Sequence, residues 1–261
     1  MSTPAEALRT VRATRYVTPL REGGSLPGLL EADDDGTYVT KFRGAGQGPR
    51  ALVAEVVAGG IGRALGLPVP ELVLLDLDPR IAAAEPDPEI QELLRASAGL
   101  NVGMDFLPGS LAFDTASCDD VDAGFAARVV WFDAAMTNID RTARNPNMIR
   151  WHGATWLIDH GAAMYRHHSP EPLAPRADAP FAGVRDHVLL GRAGPLADAQ
   201  AALRAAMDPG LVDHVLAGVP DAWLVDDGWP QTAAERRDDY AQYLAVRLTG
   251  RDVAADVEAA R

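Results

Sequence analysis

The sequence predicts an α+β fold of two lobes, a small β-rich N-terminal lobe and a larger, mostly helical C-terminal lobe. Three observations predict it. Short apolar runs bounded by turn residues alternate with helical stretches in the first half, whereas helical periodicity dominates the second. Pro108-Gly109 ends an apolar run between the two patterns and sets a boundary near Leu107 to Ser110. At 261 residues the chain is long enough for one large domain or two packed lobes. The division is therefore 1–107 and 108–261, the two working together as one domain.

Each element has a local reason. Leu29 to Ala32 and Thr37 to Phe42 flank an Asp35-Gly36 turn, a hairpin signal that puts Thr37, Val39 and Lys41 on one face of the second strand. Arg50 to Leu65 reads as a helix, stopped by Gly66 and Pro68. Glu71 to Leu77 is an apolar strand, Asp87 to Ser97 a short helix, and Leu100 to Leu107 another strand. Asp119 or Asp120 caps a helix from about Val121 to Met136, with Phe125, Val129 and Phe132 on its apolar stripe. A hairpin follows, Asn147 to Arg150 and Thr155 to Ile158, turned at His152-Gly153 and leading directly to Asp159. The proline-rich stretch Ser169 to Pro180 reads as a functional loop, and helices from about Arg185 complete the chain.

Composition narrows the function. A net charge of -13 argues against nucleic acid or an anionic membrane bound by bulk electrostatics. No run approaches the length of a membrane span. The start, MSTPAEALRTVRATRY, lacks the apolar core of a secretory signal, so the sequence predicts a cytoplasmic protein. Cys118, the one cysteine, adjoins Asp119 and Asp120, which oppose thiolate formation and make it an inert thiol. The six histidines show no metal-binding spacing. His187 is expected on a helix as a packed or surface residue. Trp131, Trp156, Trp223 and Trp229 are expected as packing anchors, and Asp33 to Asp35 as a solvated hairpin tip. Arg166, His167 and His168 are expected either in a solvated loop or facing an acidic or phosphorylated substrate.

One residue stands apart: the chain has a single lysine, Lys41, against 23 arginines. A compact ammonium on a slim stem suits a crowded phosphate pocket better than a guanidinium fork does. Glu55 lies in the helix that follows. Farther on, Asn138-Ile139-Asp140-Arg141-Thr142-Ala143-Arg144-Asn145 lies between a helix and the hairpin that ends in Asp159-His160-Gly161. This is the pattern of a phosphotransferase catalytic loop: Asp140 and Asn145 have the Asp-x₄-Asn spacing, and Asp159-x-Gly161 parallels Asp-Phe-Gly. Asp140 suits the catalytic carboxylate that takes or orients the acceptor proton, while Asn145 and Asp159 offer hard oxygens to Mg²⁺. Asn147 is the second choice for the amide ligand. His160 is expected at the rim of that metal site.

These motifs resemble the HipA-like kinases, bacterial enzymes with a two-lobed protein-kinase-like fold. The resemblance covers most of the chain. It is carried by Gly23-Gly24-Ser25-Leu26-Pro27-Gly28, Tyr38-Val39-Thr40-Lys41-Phe42, Met104-Asp105-Phe106-Leu107-Pro108-Gly109, Asn138-x-Asp140-Arg141-x₃-Asn145 and Ile158-Asp159-x-Gly161. It implies a nucleotide site between the lobes, with ATP and Mg²⁺ as cofactors. Lys41 would meet the α/β-phosphates with Glu55 as its anchor, the backbone of Asp105, Phe106 and Leu107 would meet adenine, and Val39 and Ile158 would wall the base. Gly23, Gly24 and Ser25 would form the phosphate-covering loop, with Gly44 to Gly48 as a rival. Thr142, Arg144 and His160 depart from the family pattern.

The implied activity is transfer of the γ-phosphoryl group to a hydroxyl, most simply of a protein serine or threonine. Ser25 is a candidate for autophosphorylation. A small-molecule or lipid-headgroup kinase is the alternative enzyme, and a nucleotide-binding pseudokinase acting as an interaction module the alternative from another class.

Overall fold

A computed structural model describes residues 8–20, 26–46, 48–169, 171–225 and 231–261. Its β-rich part is a closed five-stranded barrel. The strands β1 (Thr10–Pro19), β2 (Gly28–Ala32), β3 (Thr37–Lys41), β4 (Leu72–Leu77) and β5 (Gly99–Asp105) lie in the order β1-β2-β3-β5-β4, and a parallel pairing of Val11 with Leu75 closes the ring. β1 has no counterpart in the sequence reading. Only Val11 and Ala13 in its first half are buried, and irregularities between Ala13 and Arg15 and between Tyr16 and Thr18 break the alternation that would have disclosed it. The hairpin tip is exposed at Asp33, Asp34 and Asp35 as expected, and it also ties in the chain just before β1: Asp34 accepts from Arg9 and from Tyr38 Oη at 2.7 Å. Burial alone would raise the Asp34 pKa, but these hydrogen bonds bring it down to about 2.

Helix α1 (Gly48–Ala64) follows β3, and α2 (Pro88–Ala96), capped by Asp87, follows β4. α1 ends at Gly66, whose φ of 77° is a left-handed helix stop. It packs tightly on the barrel: a Cβ at Gly59 would lie 2.6 Å from Leu72 Cδ1. Two cores result. Leu30, Tyr38, Val73 and Leu75 fill the barrel with Ile90 and Leu94 of α2, while Leu52, Val56 and Ile61 of α1 join a second core with the helical part of the chain. The Glu55 helix is thus anchored to the helical core.

After β5, the short β6 (Leu111–Ala112) pairs with β7 (Met148–Trp151), which pairs with β8 (Ala154–Leu157). α3 (Ala123–Ala135) precedes this hairpin; its cap is Asp122, which accepts from Phe125 N–H at 2.7 Å, and Asp119 and Asp120 belong to a 3₁₀ turn before it. Helices α4 (Leu196–Ala205), α5 (Leu211–Ala217), α6 (Asp221–Leu224), α7 (Ala233–Ala245) and α8 (Val253–Ala260) complete the fold. Regular helix therefore begins later than Arg185: residues Ala182–Asp186 form a 3₁₀ turn.

The Ser169 to Pro180 stretch is tied to this helical part. Asp239 of α7 accepts from Leu173 and Ala174 N–H, and Arg247 donates to Ala177 and Ala179 carbonyls. Arg247 also donates to the Ala134 and Ala135 carbonyls, complementing the negative end of α3. Trp131 and Trp223 are buried in the core and Trp156 is half-buried, while Trp229 lies outside the described residues. The Cys118 thiol is half-buried, its pKa raised by burial and then by Asp119 and Asp114. Among the described residues no helix is long and apolar enough to cross a membrane.

Candidate active site

Strand alternation in β3 sends Tyr38 and Thr40 into the barrel and leaves Thr37, Val39 and Lys41 on the opposite face. Lys41 Nζ donates to Glu55 Oε2 at 2.6 Å and to Asp159 Oδ1. Glu55 is fully buried, whereas the Asp159 side chain is 42% exposed. The ammonium therefore links an interior carboxylate to one that solvent reaches. Burial alone would depress the Lys41 pKa; Glu55 and Asp159 outweigh it, and the net shift is upward. For Glu55 burial pushes upward, yet Lys41 and then His160 carry the carboxyl well below its ordinary range. Both partners stay ionised at neutral pH.

Asp159 holds a left-handed conformation at φ 54°, which turns the chain inward. His160 is consequently fully buried behind Glu55, its Nδ1 3.5 Å from Oε1 and its ring edge-on to Phe132, rather than at a metal-site rim. Gly161 sits where a Cβ would lie 3.5 Å from both Lys41 Nζ and Asp159 Oδ1.

The Asp140 loop is built differently. Asp140 Oδ2 accepts from Asn145 Nδ2 at 2.8 Å and from Asn147 Nδ2 at 3.2 Å, and its backbone N–H donates to Asn138 Oδ1 at 3.1 Å. Beneath it, Asp133 of α3 accepts from Asn138 Nδ2 at 3.0 Å, Arg141 Nε at 2.5 Å and His187 Nε2 at 3.0 Å. Arg141, fully buried, also donates to the carbonyls of Asn147 and Ile158, joining the Asp140 loop to the strand that delivers Asp159. Burial opposes ionisation of Asp133, but Arg141 and His187 hold its carboxyl well below the usual range. Thr137 and Asn147 take left-handed conformations on either side of this loop, at φ 49° and 48°. For a β-branched residue that is uncommon, and such strain persists where the surroundings enforce it.

Asp159, Asn145 and Asp140 offer carboxylate and amide oxygens, the donor set Mg²⁺ prefers. Among the described residues no three His, Cys, Asp or Glu side chains group to enclose a metal by themselves. A divalent ion held here would complete its shell with phosphate and water, as Mg²⁺ commonly does.

A family model described as HipA-like kinase matches residues 14–247. The chain belongs to the HipA-like kinase family. No curated protein sequence matches it. Among solved structures, this HipA-like kinase is similar to a crystal structure of a Helicobacter pylori proinflammatory kinase, CtkA, with a TM-score of 0.54 and 14% identity. The similarity covers 90% of this chain and 95% of that one, and at such identity it concerns the fold.

The remaining expected residues fall as follows in this HipA-like kinase. Val39 and Ile158 are half-buried against the helical core. Asp105 ends β5, and Phe106 N–H donates to the Thr37 carbonyl at 3.0 Å, so that amide is already engaged and cannot meet a base. Leu107 is buried. Gly23, Gly24 and Ser25 lie outside the described residues. In the rival loop, Gly44 N–H donates to Ser97 Oγ and Gly48 N–H to the Ala45 carbonyl, which makes it a turn into α1.

Sequence reasoning missed the support beneath the loop. Asp133 was legible in principle, as one carboxylate within the apolar run Ala126 to Met136 that must be paired if buried. His187 lies on no helix; it follows a 3₁₀ turn and is buried against Asp133. His167 is buried, with Nδ1 2.8 Å from Tyr240 Oη, and so is withdrawn from any substrate.

Proposed function

We propose that this chain is an ATP- and Mg²⁺-dependent kinase that transfers the γ-phosphoryl group to a hydroxyl of a protein serine or threonine, itself included. The observation that carries the reading is Lys41 bridging Glu55 and Asp159 while Asp140 is fixed by two asparagine amides. The lobes, 1–107 and 108–261, form one kinase domain with the nucleotide between them. Lys41 binds the α/β-phosphates, exchanging its contact with Asp159 for phosphate oxygens, and Glu55 keeps the ammonium in place. Asp140 receives the acceptor proton as the hydroxyl oxygen attacks the γ-phosphorus and the bond to the β–γ bridging oxygen breaks, releasing ADP. Asn145 and Asp159 hold Mg²⁺, which when bound neutralises charge on the phosphates. Val39 and Ile158 wall the adenine, and the backbone at Asp105 and Leu107 meets its edge.

The test is incubation of the purified protein with γ-labelled ATP and Mg²⁺, alone and with cell extract, beside Asp140→Ala. Labelled protein supports the reading, and the variant is expected to lose about a thousandfold in rate with ATP binding retained. Label only in a small product would make it a small-molecule kinase. ATP binding without transfer, unchanged in the variant, would make it a pseudokinase.

A further inference from the structure

His187 is the one buried histidine near the Asp140 loop whose proton the geometry assigns. Leu189 N–H donates to its Nδ1 at 3.0 Å, so Nδ1 carries a lone pair. The ring proton is therefore on Nε2, which donates to Asp133 Oδ2 at 3.0 Å. His187 arrives from a separate part of the chain, the far end of the segment that leaves Asp159. That end docks on the Asp140 loop once more, through a bridge between Thr142 and His187 that includes a bond from Val188 N–H to the Arg141 carbonyl at 3.0 Å.

We propose that His187 is a positioning residue for phosphoryl transfer: through Asp133 and Arg141 it sets Asp140 and Asp159. The proposal deepens the kinase reading above and rests on it. His187 is buried and acts only through its neighbours. The Arg141 fork on Asp133 is uneven, 2.5 Å from Nε to Oδ2 and 3.4 Å from Nη2 to Oδ1, with His187 sharing Oδ2. Without His187 the carboxylate keeps only Asn138 and Arg141 and can turn on the Asn138 bond toward an even fork, and Arg141 Nη1 then moves against the Asn147 and Ile158 carbonyls. Asn147 holds Asp140, and Ile158 precedes Asp159. Small displacements of reacting groups cost rate more than ground-state binding.

The experiment measures ADP release from ATP and Mg²⁺ for wild type, His187→Phe and His187→Gln, with ATP affinity by calorimetry. The Phe variant is expected to lower kcat about tenfold or more while ATP Kd stays within about twofold. Gln, whose amide supplies both a donor and an acceptor, is expected to restore most of the rate. Long-range proton–nitrogen spectra should lose, in the Phe variant, one neutral imidazole protonated at Nε2. The proposal falls if His187→Phe turns over like wild type, if kcat and ATP affinity decline together, if Gln is as slow as Phe, or if the proton is on Nδ1. An active wild type with an unaffected Phe variant overturns this proposal alone. A wild type that binds ATP but releases no ADP overturns it together with the kinase reading.

Discussion

The two halves of the candidate site are held by different physics. On the barrel side, Lys41 and Glu55 rely on charge: one ammonium meets two carboxylates, and among the described residues Glu55 Oε1 has only His160 at 3.5 Å beyond that pair. On the helical side, Asp140 relies on geometry, with its oxygens and backbone fixed by three asparagines that a buried Asp133–Arg141 pair supports in turn. The division follows the task each half would perform. A cation that must exchange partners when phosphates arrive is best held by few strong contacts, whereas a carboxylate that must aim at one acceptor proton is best held by many directional ones.

Breaking the charged half should have the larger effect. Removing Lys41 leaves the Glu55 charge buried and uncompensated, so Lys41→Met is expected to cost roughly 3 to 5 kcal/mol of stability in urea unfolding, and Glu55→Leu, which leaves Lys41 paired with Asp159, less. The double variant Lys41→Met with Glu55→Leu should recover most of that loss, because two apolar side chains bury without an unpaired charge. Asp159 is partly exposed and can be hydrated once Lys41 is gone. A double variant as unstable as the sum of its singles would show that charge does not hold this half.

The geometric half gives a smaller and graded response. Asn147→Ala removes two donations to Asp140 and puts alanine at a φ of 48°, for an expected cost of about 2 kcal/mol. Asn145→Ala removes one bond from an exposed side chain and should change stability by less than about 0.5 kcal/mol while lowering activity. Equal stability losses from the two would contradict the difference in their support.

Legibility in the sequence divides along the same line. Lys41, Glu55, Asp140, Asn145 and Asp159 could be named because each sits at a fixed offset within a strand, helix or loop pattern, and the structure brings Lys41 to Glu55 and Asp159 and brings Asp140 to Asn145. Local periodicity also gave the Asp35-Gly36 hairpin and the α1 stop at Gly66. The rest depends on contacts between distant segments. β1 is defined by its pairing with β2 and β4. His187 meets Asp133 across a long stretch of chain, and no local spacing reports that.

Alkaline unfolding offers the finest separation, because only one half contains a lysine. The cation on the helical side is a guanidinium, a group that keeps its charge at high pH. The folded Lys41 pKa is raised above its ordinary 10.5, with Glu55 and Asp159 outweighing burial. The sign follows: the contribution is fully present below pH 10.5 and is lost as pH rises from there through the folded pKa, at up to about 1.4 kcal/mol per pH unit. The buried tyrosines Tyr240 and Tyr243, their pKa values raised by burial, add a background slope in the same range. Comparing wild type with the Lys41→Met, Glu55→Leu double variant subtracts that background, since both chains keep the tyrosines. Wild-type stability should fall more steeply than the variant's between pH 10.5 and 11.5 by roughly that one-proton slope. Parallel curves would mean that the chain's single lysine carries no net stabilising charge, and that both halves are held by geometry alone.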